Sequence, residues 1–540
     1  MKKIALFSVL LFCNVSYAQN TYDNALLSTP ILNGTARYVG MGGAVDALGA
    51  DLSVISTNPA GIGLFRSSHA KLTFGMASQQ EAPSGMSGNS TYPTFDQAGF
   101  VYSIRNSSSS FINIAFNYHK ESDFNFMMRA EGELNGASQN GLSYSKSYNN
   151  LVYPVYYGKD RVISDDYSNM FNQVDYLYYN SFLWDGTFNK KVVDGVVTDE
   201  DDYDAPNYYY NRGKTYTTQT KRDGYIGAYD FNISGNINNQ VFLGLTVGIR
   251  DVHFNNSTIY TESVINSQNM AMGELDMINN RSITGTGYNI KAGIIVRPVE
   301  TSPLRFGISV ATPTWYDLKS SNTLSFRNRT AYQDVTNMPV KVGEDFDFKF
   351  YTPWQFGFSV GTTIDDYLAI GATYEYEDYS AINTRIVTGG YYSDFGDYYE
   401  DTSPDREMNR HTKNTLKGVH TVKLGAEFKP DPTLAIRFGY NFVSPMYKET
   451  GGRNVDVDSP YAFYDSSTDY INWKGTNRIT CGIGYVWNKF SIDVAYQYSS
   501  QKGTYHPMVD YAIGENKYSP NTATVKNDRH YLQMTVGYQF

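Results

Sequence analysis

Segments of about ten residues in which apolar and polar side chains alternate strictly recur along this chain. In the last one, YLQMTVGYQF, the apolar side chains from Leu532 to Phe540 point one way and the side chains between them point the other way. A period of two residues predicts a β-strand with two different faces. The same alternation occurs at 112–118, 241–249 (where Phe242 is an exception), 434–442, 479–485 and 490–498.

The lengths of the connections between these segments constrain the fold further. We predict fourteen strands, which begin near residues 69, 96, 110, 225, 241, 282, 304, 346, 366, 415, 433, 474, 490 and 526. Short connections such as NSSSS and WNK alternate with long ones, of which the largest spans about 131–224. This alternation is typical of the periplasmic turns and extracellular loops of a membrane barrel, whereas a soluble β-sandwich gives no reason for it. The predicted fold class is therefore all-β, a transmembrane antiparallel β-barrel of about 14 strands.

The composition supports a barrel wall and indicates its location. The 540 residues include 48 Tyr and 46 Gly, only 18% are charged, and the net charge is -10. A surplus of negative charge disfavours nucleic acid as a partner, because phosphate binding requires a basic surface. Residues 1–18 have the basic start, apolar middle and small-residue cleavage site of a secretory signal peptide. We therefore expect a multi-pass barrel in the outer membrane of a Gram-negative cell, in contact with membrane lipid and lipopolysaccharide.

The stretch GTARYVGMGGAVDALGADLSVISTNPAG, residues 34–61, is rich in small residues and nearly free of charge. A barrel of about 14 strands is wider than the small barrels that their own side chains fill, so its bore leaks unless something occupies it. We therefore predict an N-terminal hatch of residues 19–68 inside the lumen of a barrel formed by residues 69–540.

The hatch sequence resembles the N-terminal hatch of the FadL-type outer-membrane transporter family. The matching positions are Gly40, Met41, Gly42, Ala44, Asp51, Asn58, Pro59, Ala60 and Gly61. The resemblance implies a 14-stranded barrel and passive uptake of a hydrophobic small molecule, such as a long-chain fatty acid or an aromatic hydrocarbon. It also implies release of the ligand through a rearrangement of the hatch or a lateral gap in the wall. The NPAG turn could serve as a hinge in that rearrangement or as a structural anchor for the hatch.

The connection at 131–224 contains clusters of aromatic residues. The residues that we single out are Tyr178, Tyr179, Trp184, Tyr208, Tyr209 and Tyr210. They could form an extracellular surface that captures an apolar ligand or a partner protein. Alternatively, the loop folds on itself and uses tyrosine for packing and hydrogen bonds. The length and tyrosine content of this loop differ from those of better-known members of the family, so the identity of the ligand stays open.

Other groups of residues give weaker indications of a function. The acidic run at 198–204 lacks the ligand spacing of a calcium-binding loop, and we interpret it as a solvated loop. The chain has no metal-binding histidine pair. We expect no metal, no cofactor and no catalytic residues. Charges that face the lumen should pair with each other or with the hatch, because an unpaired buried charge is costly. They are Asp230, Arg250, Lys291, Arg305, Lys423, Glu427, Arg437 and Asp493.

Three alternatives to a hydrophobic-compound transporter remain open at this stage. FadL-like barrels also serve as shuttle or attachment factors of a type IX secretion system, which would imply a secreted or periplasmic protein partner. Relatives of this type are sometimes labelled haem receptors, and His411 in a long loop is the position that we would test as a haem ligand. A small-solute porin would require that the hatch be mobile.

Overall fold

The computed structural model describes residues 20–83, 86, 89–148, 156–157, 160–161, 173–193, 196–330, 338–342, 345–393, 398–454 and 468–540. The predicted signal peptide lies outside the described residues. No helix in the described part of the chain is long and apolar enough to cross a membrane.

Short helices precede the barrel and interrupt its extracellular loops. Four lie before the first strand: α1 (Thr21–Leu27), α2 (Ala36–Gly40) and the 3₁₀ helices η1 (Leu52–Ser56) and η2 (Pro59–Leu64). The others are α3 (Gln139–Tyr148), α4 (Gln173–Ser181), η3 (Tyr379–Ala381) and α5 (Arg406–Thr415).

The strands of the first half are β1 (His69–Gln79), β2 (Thr91–Arg105), β3 (Phe111–Asp123), β4 (Phe126–Gly136), β5 (Tyr156–Tyr157), β6 (Asp160–Arg161), β7 (Trp184–Val193), β8 (Val196–Tyr208), β9 (Arg212–Ile237), β10 (Val241–Ile265), β11 (Ala271–Val296), β12 (Arg305–Ala311) and β13 (Trp315–Asn328). The remaining strands are β14 (Met338–Val342), β15 (Phe346–Tyr351), β16 (Gln355–Ile364), β17 (Leu368–Asp378), β18 (Asn383–Tyr392), β19 (Tyr398–Pro404), β20 (Gly418–Asp431), β21 (Leu434–Val443), β22 (Tyr470–Trp487), β23 (Phe490–His506), β24 (Tyr511–Ile513), β25 (Asn516–Tyr518), β26 (Ala523–Lys526) and β27 (Arg529–Gln539).

Antiparallel pairing closes the described strands into a barrel. Each strand pairs with its neighbour around the ring, and β27 returns to β1 with Thr535 opposite Thr73. Among the described residues, the barrel wall is fourteen strands in circumference. At five of these fourteen places, two strands that follow each other in the chain, such as β3 and β4, together make one wall strand. The predicted fold class, a closed antiparallel barrel of about 14 strands, is confirmed.

The outer surface of the barrel is an apolar belt. Its exposed side chains include Phe100, Ile114, Phe231, Ile233, Leu245, Val247, Ile308, Phe356, Phe358, Phe438, Ile479, Ile483 and Leu532. At the end with the tight turns, Tyr538 packs against Phe490 at 4.9 Å and against the C-terminal Phe540 at 5.0 Å between ring centroids. An apolar band bordered by aromatic residues is the surface of an outer-membrane barrel, and the chain is an outer-membrane protein. The end with the tight turns is the periplasmic end.

The lumen is polar, and the inward charges identified in the sequence bind other charged side chains or the hatch. Arg250 lies 2.8 Å from Asp230 on the neighbouring strand. Arg437 contacts both Glu427 and Asp493 at 2.6 Å. The other three inward cations bind Glu375 or backbone carbonyls of the hatch: Lys423 to Glu375 at 2.5 Å, Lys291 to Ser56 at 2.7 Å and Arg305 to Leu48 at 3.1 Å.

Two strands begin well before the predicted positions. β9 starts at Arg212 rather than near residue 225, and β11 starts at Ala271 rather than near residue 282. β9, β10 and β11 contain 26, 25 and 26 residues, whereas about 10 residues suffice to cross a bilayer. Above the membrane the outer faces of these strands are largely polar and their inner faces mix polar and apolar residues, so the alternation fades although the pairing continues.

Phe242, the exception in the sequence pattern, faces the lumen. It is buried beside Ala60 of the hatch and Ile295 of β11. An apolar residue at a lumen-facing position is favourable here because the hatch covers it.

Candidate functional site

The segment before the first strand fills the bore. Residues 20–68 are mostly buried, and they run from the extracellular half of the lumen to its periplasmic end. At the upper end, the Thr21 hydroxyl lies 2.8 Å from His411 Nδ1. At the lower end, the side-chain amide of Asn113 on β3 donates to the carbonyl oxygens of Ile62 and Phe65 at 2.8 and 3.1 Å. This segment lies within the range predicted as the hatch, residues 19–68, and we use the name hatch for it below.

The GMGG part of the hatch touches the wall through backbone atoms. The carbonyl of Met41 faces Gly425 on β20, and the amide of Gly42 faces Gly439 on β21. A Cβ atom added at either wall glycine would come closer than 3.0 Å to those hatch atoms. Gly42 itself has a φ of 61°, a conformation that favours glycine. The loop therefore fits only a wall without side chains at these points.

The same kind of contact occurs on three other strands. Gly371 on β17 faces the Ala44 carbonyl, Gly244 on β10 faces Pro59, and Gly293 on β11 faces the Asn58 side chain. At each of these glycines a Cβ atom would again lie closer than 3.0 Å to the hatch. Wall glycines on β10, β11, β17, β20 and β21 thus form a seat for the hatch.

Buried ion pairs add a polar attachment. Asp51 accepts hydrogen bonds from the Thr35 hydroxyl at 2.8 Å and the Ser53 amide at 3.0 Å. Its carboxylate also lies 3.6 Å from Lys71 Nζ on β1 and 3.9 Å from Arg37. Arg37 in turn binds Glu427 of β20 at 3.1 Å. Asp51 therefore joins two parts of the hatch to each other and to the first strand.

The NPAG turn builds η2 at the periplasmic end. The Ala60 amide donates to Asn58 Oδ1 at 3.2 Å, which makes Asn58 the N-cap of η2. Pro59 occupies the first helical position, where its missing N–H costs nothing. Gly61 packs so tightly against Val54 of η1 that a Cβ atom there would be closer than 3.0 Å. The matched motif residues therefore lie in the parts of the hatch that are held most tightly.

Two cavities lie within the lumen on the extracellular side of the GMGG and NPAG segments. The upper one encloses about 210 Å³ and the lower one about 160 Å³. Thr29, Pro30 and Ile31 line both cavities, so the chain between α1 and α2 forms the partition between them. Pockets that enclose drug-sized ligands measure roughly 300 Å³ or more, so a ligand of that size requires the partition to move.

The upper cavity combines apolar walls with a surplus of arginine. Its apolar lining includes Phe126, Met128, Phe254, Ile471 and Trp473, and its charged lining consists of five arginines and three aspartates. Three of the arginines bind neutral groups. Arg222 donates to Asn256 at 3.2 Å, Arg478 to Asn441 at 2.8 Å and Arg529 to Asn527 at 2.7 Å.

The lower cavity has a different charge balance. Its charged lining consists of Lys291, Lys423, Lys474 and Arg478 together with the carboxylates of Glu121, Glu375 and Glu377. These groups sit among Leu27, Ile31, Leu32 and Tyr379. The surplus of basic over acidic residues is therefore larger in the cavity above the partition than in the cavity below it.

The wall opens into a fork beside the partition. β2 and β3 pair from Arg105 opposite Phe111 up to Gln97 opposite His119, and beyond that point they diverge. The upper part of β2 continues along β1, and the upper part of β3 continues along β9. The two strands therefore no longer hydrogen-bond to each other in the extracellular half of the wall.

Hatch residues close this fork from inside. The Asn33 side-chain amide donates to the carbonyls of Lys120 on β3 at 3.0 Å and Asp96 on β2 at 3.4 Å. The Ile31 amide donates to the carbonyl of Glu121 at 2.9 Å, as a neighbouring strand would. The segment 29–33 therefore separates the two cavities and also replaces the missing pairing of β3.

A second closure lies at the extracellular end. Leu142 of α3 and Val174, Leu177 and Tyr178 of α4 pack into a buried cluster with the inner faces of the long strands, including Tyr260, Phe326 and Tyr505. Glu262 of β10 accepts hydrogen bonds from the Gln139 amide at 2.8 Å and the Asn140 side chain at 3.2 Å. We call the described residues between β4 and β9 that pack into this cluster the extracellular cap.

The aromatic residues predicted in the loop occupy different environments. Tyr178 and Tyr179 are 1% exposed and belong to the cap. Tyr208, Tyr209 and Tyr210 are half-buried at its rim. Trp184 begins β7, and its side chain lies outside the described part of the structure. The structure therefore brings only part of the predicted capture surface into contact with solvent.

The other candidate positions are engaged in structural contacts. His411 has Thr21 beside Nδ1 and the Gly452 carbonyl 3.0 Å from Nε2, and burial lowers its pKa. The acidic run lies on β8, where Asp201 pairs with Lys190 at 2.8 Å. Among the described residues, no cluster of three or more His, Cys, Asp or Glu side chains could hold a metal ion.

No protein-family model and no curated protein sequence matches the chain. Solved structures similar to it include the Ralstonia pickettii toluene transporter TbuX, with a TM-score of 0.46 and 12% identity over 94% of this chain and 99% of that chain. A Pseudomonas aeruginosa FadL homologue has a TM-score of 0.49 and 12% identity over 95% of this chain and 100% of that chain. The Pseudomonas putida toluene transporter TodX has a TM-score of 0.47 and 11% identity over 95% of this chain and 99% of that chain.

The likeness lies in the fold. At such low identity no ligand or residue role is carried over, so the function is argued below from the geometry of the lumen.

Proposed function

We propose that the protein is a passive outer-membrane transporter of hydrophobic molecules that carry an acidic head group, such as long-chain fatty acids. One observation carries the proposal. The upper cavity is walled by Phe126, Phe254 and Trp473, and two of its arginines, Arg222 and Arg478, bind only neutral groups among the described residues. Apolar walls suit a hydrocarbon chain, and guanidinium groups that are not hydrogen-bonded to a carboxylate suit a carboxylate or phosphate of a ligand.

The path from this cavity follows the fork. Movement of the segment 29–33 would join the two cavities and open the gap between β2 and β3 at the same time, because the same residues close both. The ligand would then leave sideways into the membrane, without crossing the tightly seated lower hatch. In this proposal the segment 29–33 is the gate.

The matched motif residues have an anchoring role in this proposal. They are Gly40, Met41, Gly42, Ala44, Asp51, Asn58, Pro59, Ala60 and Gly61, and they hold the lower hatch against the wall while the gate moves. Above the cap, Tyr208, Tyr209 and Tyr210 offer half-buried aromatic faces that would make the first contact with ligand.

Uptake measurements test the proposal. Cells that carry the gene should take up radiolabelled palmitate faster than cells that lack it, and the difference should be small for hexadecane, which has the same chain length without a carboxylate. Equal uptake of palmitate by both strains would overturn the proposal.

The arginines supply a sharper test of the same idea. A variant with Arg222→Gln and Arg478→Gln should lose at least about tenfold in palmitate uptake, since a hydrogen bond to a charged group contributes about 1.5–3 kcal/mol and 1.4 kcal/mol is tenfold. A matched control carries Arg129→Gln and Arg410→Gln, which remove two exposed arginines that pair with Glu131 and Glu407. If the control loses as much uptake as the variant, the cavity arginines have no specific role.

One observation favours a second function, the binding of a protein partner. β7 and β8 form a separate two-stranded hairpin, and Val192, Val193, Val196 and Val197 near its tip are 56–67% exposed. An apolar tip on a hairpin is a contact surface for another protein. A stoichiometric partner that copurifies with the wild type, but not with a variant in which all four valines are replaced by threonine, would support this alternative.

A further inference from the structure

Three lysines form a row on neighbouring strands at the extracellular rim of the barrel wall. Lys502 of β23 lies directly opposite Lys526 of β26 in the antiparallel pairing. Lys474 lies in the irregularity of β22 between Trp473 and Thr476, on the other side of Lys502. All three side chains are exposed. Adjacent strands are about 4.8 Å apart, so the backbones of the three lysines lie within about 10 Å along the rim.

The row lies just above the upper aromatic border of the membrane belt. Directly below it, the Tyr496 hydroxyl lies 2.7 Å from His530 Nδ1, and the ring of Tyr498 packs on His530 at 5.2 Å between centroids. Tyrosine at this position marks the boundary between hydrocarbon and head groups. Lys502 is four residues further along β23 than Tyr498, about 13 Å of strand, which brings it to the level of the head groups.

The charge of the row is poorly compensated. Like charges directly opposite each other on paired strands destabilise a sheet. Lys526 lies 3.3 Å from Glu81, but Lys474 and Lys502 make no ion pair with a described carboxylate. By contrast, the exposed Lys319 and Lys190 lie 2.9 and 2.8 Å from Asp345 and Asp201. A local surplus of positive charge is notable in a chain whose net charge is -10.

We propose that Lys474, Lys502 and Lys526 form a binding site for the phosphate groups of lipopolysaccharide in the outer leaflet. Lipopolysaccharide is the anionic lipid of the leaflet that the row faces, and its phosphates lie at the head-group level. Lysine binds phosphate as a point charge, so a row of ammonium groups can hold two neighbouring phosphates without a fixed geometry. The site is independent of the transport proposal, because none of the three lysines lines the upper cavity.

The test measures binding of bisphosphorylated lipid A to the full-length purified protein by native mass spectrometry. The variant with Lys474→Gln, Lys502→Gln and Lys526→Gln should bind about a hundredfold more weakly than the wild type, because each basic residue near an anionic surface contributes about 1 kcal/mol. The variant with arginine at the same three positions should retain binding, and dephosphorylated lipid A should bind weakly to both.

A matched control carries Lys190→Gln, Lys191→Gln and Lys319→Gln, which change the net charge by the same amount at paired positions. It should bind lipid A as the wild type does. The proposal is overturned if the control and the glutamine variant lose equal affinity, or if wild-type protein binds phosphatidylglycerol as tightly as lipid A. Fatty acid uptake by correctly folded glutamine variant should be unchanged, so failure of this site and failure of the transport proposal are distinguishable.

Discussion

At several points the barrel wall meets the hatch through glycine alone, and one side chain there should dislodge the hatch. Gly425→Val places a branched side chain where a Cβ atom would lie closer than 3.0 Å to the Met41 carbonyl. We expect the GMGG loop to leave the wall while the barrel itself stays folded. The reporter is a cysteine that replaces Val45, which is fully buried in the wild type, in a Cys481→Ser background. The measurement is the rate at which a water-soluble maleimide labels this cysteine.

The control for this substitution is Gly235→Val. Gly235 also lies in a wall strand, but a Cβ atom there would have nothing within 4 Å. Labelling should remain slow in this control. If Gly425→Val also left the cysteine protected, the glycine contacts would not be what seats the hatch.

Asp51 is the residue at which the polar attachment of the hatch is concentrated. Asp51→Asn keeps its shape but leaves Lys71 without its carboxylate partner at 3.6 Å. Breaking a buried ion pair costs about 3–5 kcal/mol, so the docked hatch should be displaced at least roughly a hundredfold more often. The same cysteine at Val45 reports this change. Asp201→Asn, which breaks an exposed pair worth about 1 kcal/mol or less, should have no effect on labelling.

At this scale the sequence predicts which residues belong to the hatch, but not how they are held. Gly439 and Gly244 are recognisable as lumen-facing positions from the alternation alone. Their contacts with Gly42 and Pro59 join residues that are far apart in the chain, and no local pattern encodes them. The fork between β2 and β3 and the surplus of arginine in the upper cavity could not be predicted for the same reason. Both depend on how the strands are arranged in the closed barrel.

The strand segments within the membrane could be predicted because lipid imposes the alternation on every one of them. The extracellular cap could not. Its helices α3 and α4 have the sequences QNGLSYSKSY and QVDYLYYNS, which contain few strong helix formers. Their burial against Tyr260 and Phe326 stabilises them, so they depend on packing that only the closed barrel supplies.

If the lower hatch is an anchor and the segment 29–33 is the gate, a cross-link between the lower hatch and the wall should leave transport intact. Gly40 and Gly482 approach each other so closely that a Cβ atom on either would lie 3.4 Å from the Cα atom of the other. Cysteines at both positions, in a Cys481→Ser background, should form a disulfide that locks the lower hatch to β22. Palmitate uptake should persist in the oxidised protein, because the segment 29–33 remains free to move.

The control for the cross-link is the same protein after reduction, which restores the unlocked hatch. Uptake that appears only after reduction would show that the whole hatch moves and that the motif is a hinge. Asn33→Ala gives the complementary result. It removes the bonds to Asp96 and Lys120 and should accelerate uptake by weakening the closure of the fork.

At the scale of the whole molecule, the bore is closed twice, by the hatch below and by the extracellular cap above. Because the two closures lie in series, water and ions can cross only when both are open. Replacement of residues 137–212 by an Asn-Gly turn should leave the barrel intact, since Gly136 and Gly213 are already paired and this turn suits a two-residue hairpin. In planar bilayers we expect low conductance from this variant alone and from Gly425→Val alone, and large steady conductance only from the two combined. Large conductance from the cap deletion alone would mean that the hatch does not seal the bore, and the protein would then act as a porin.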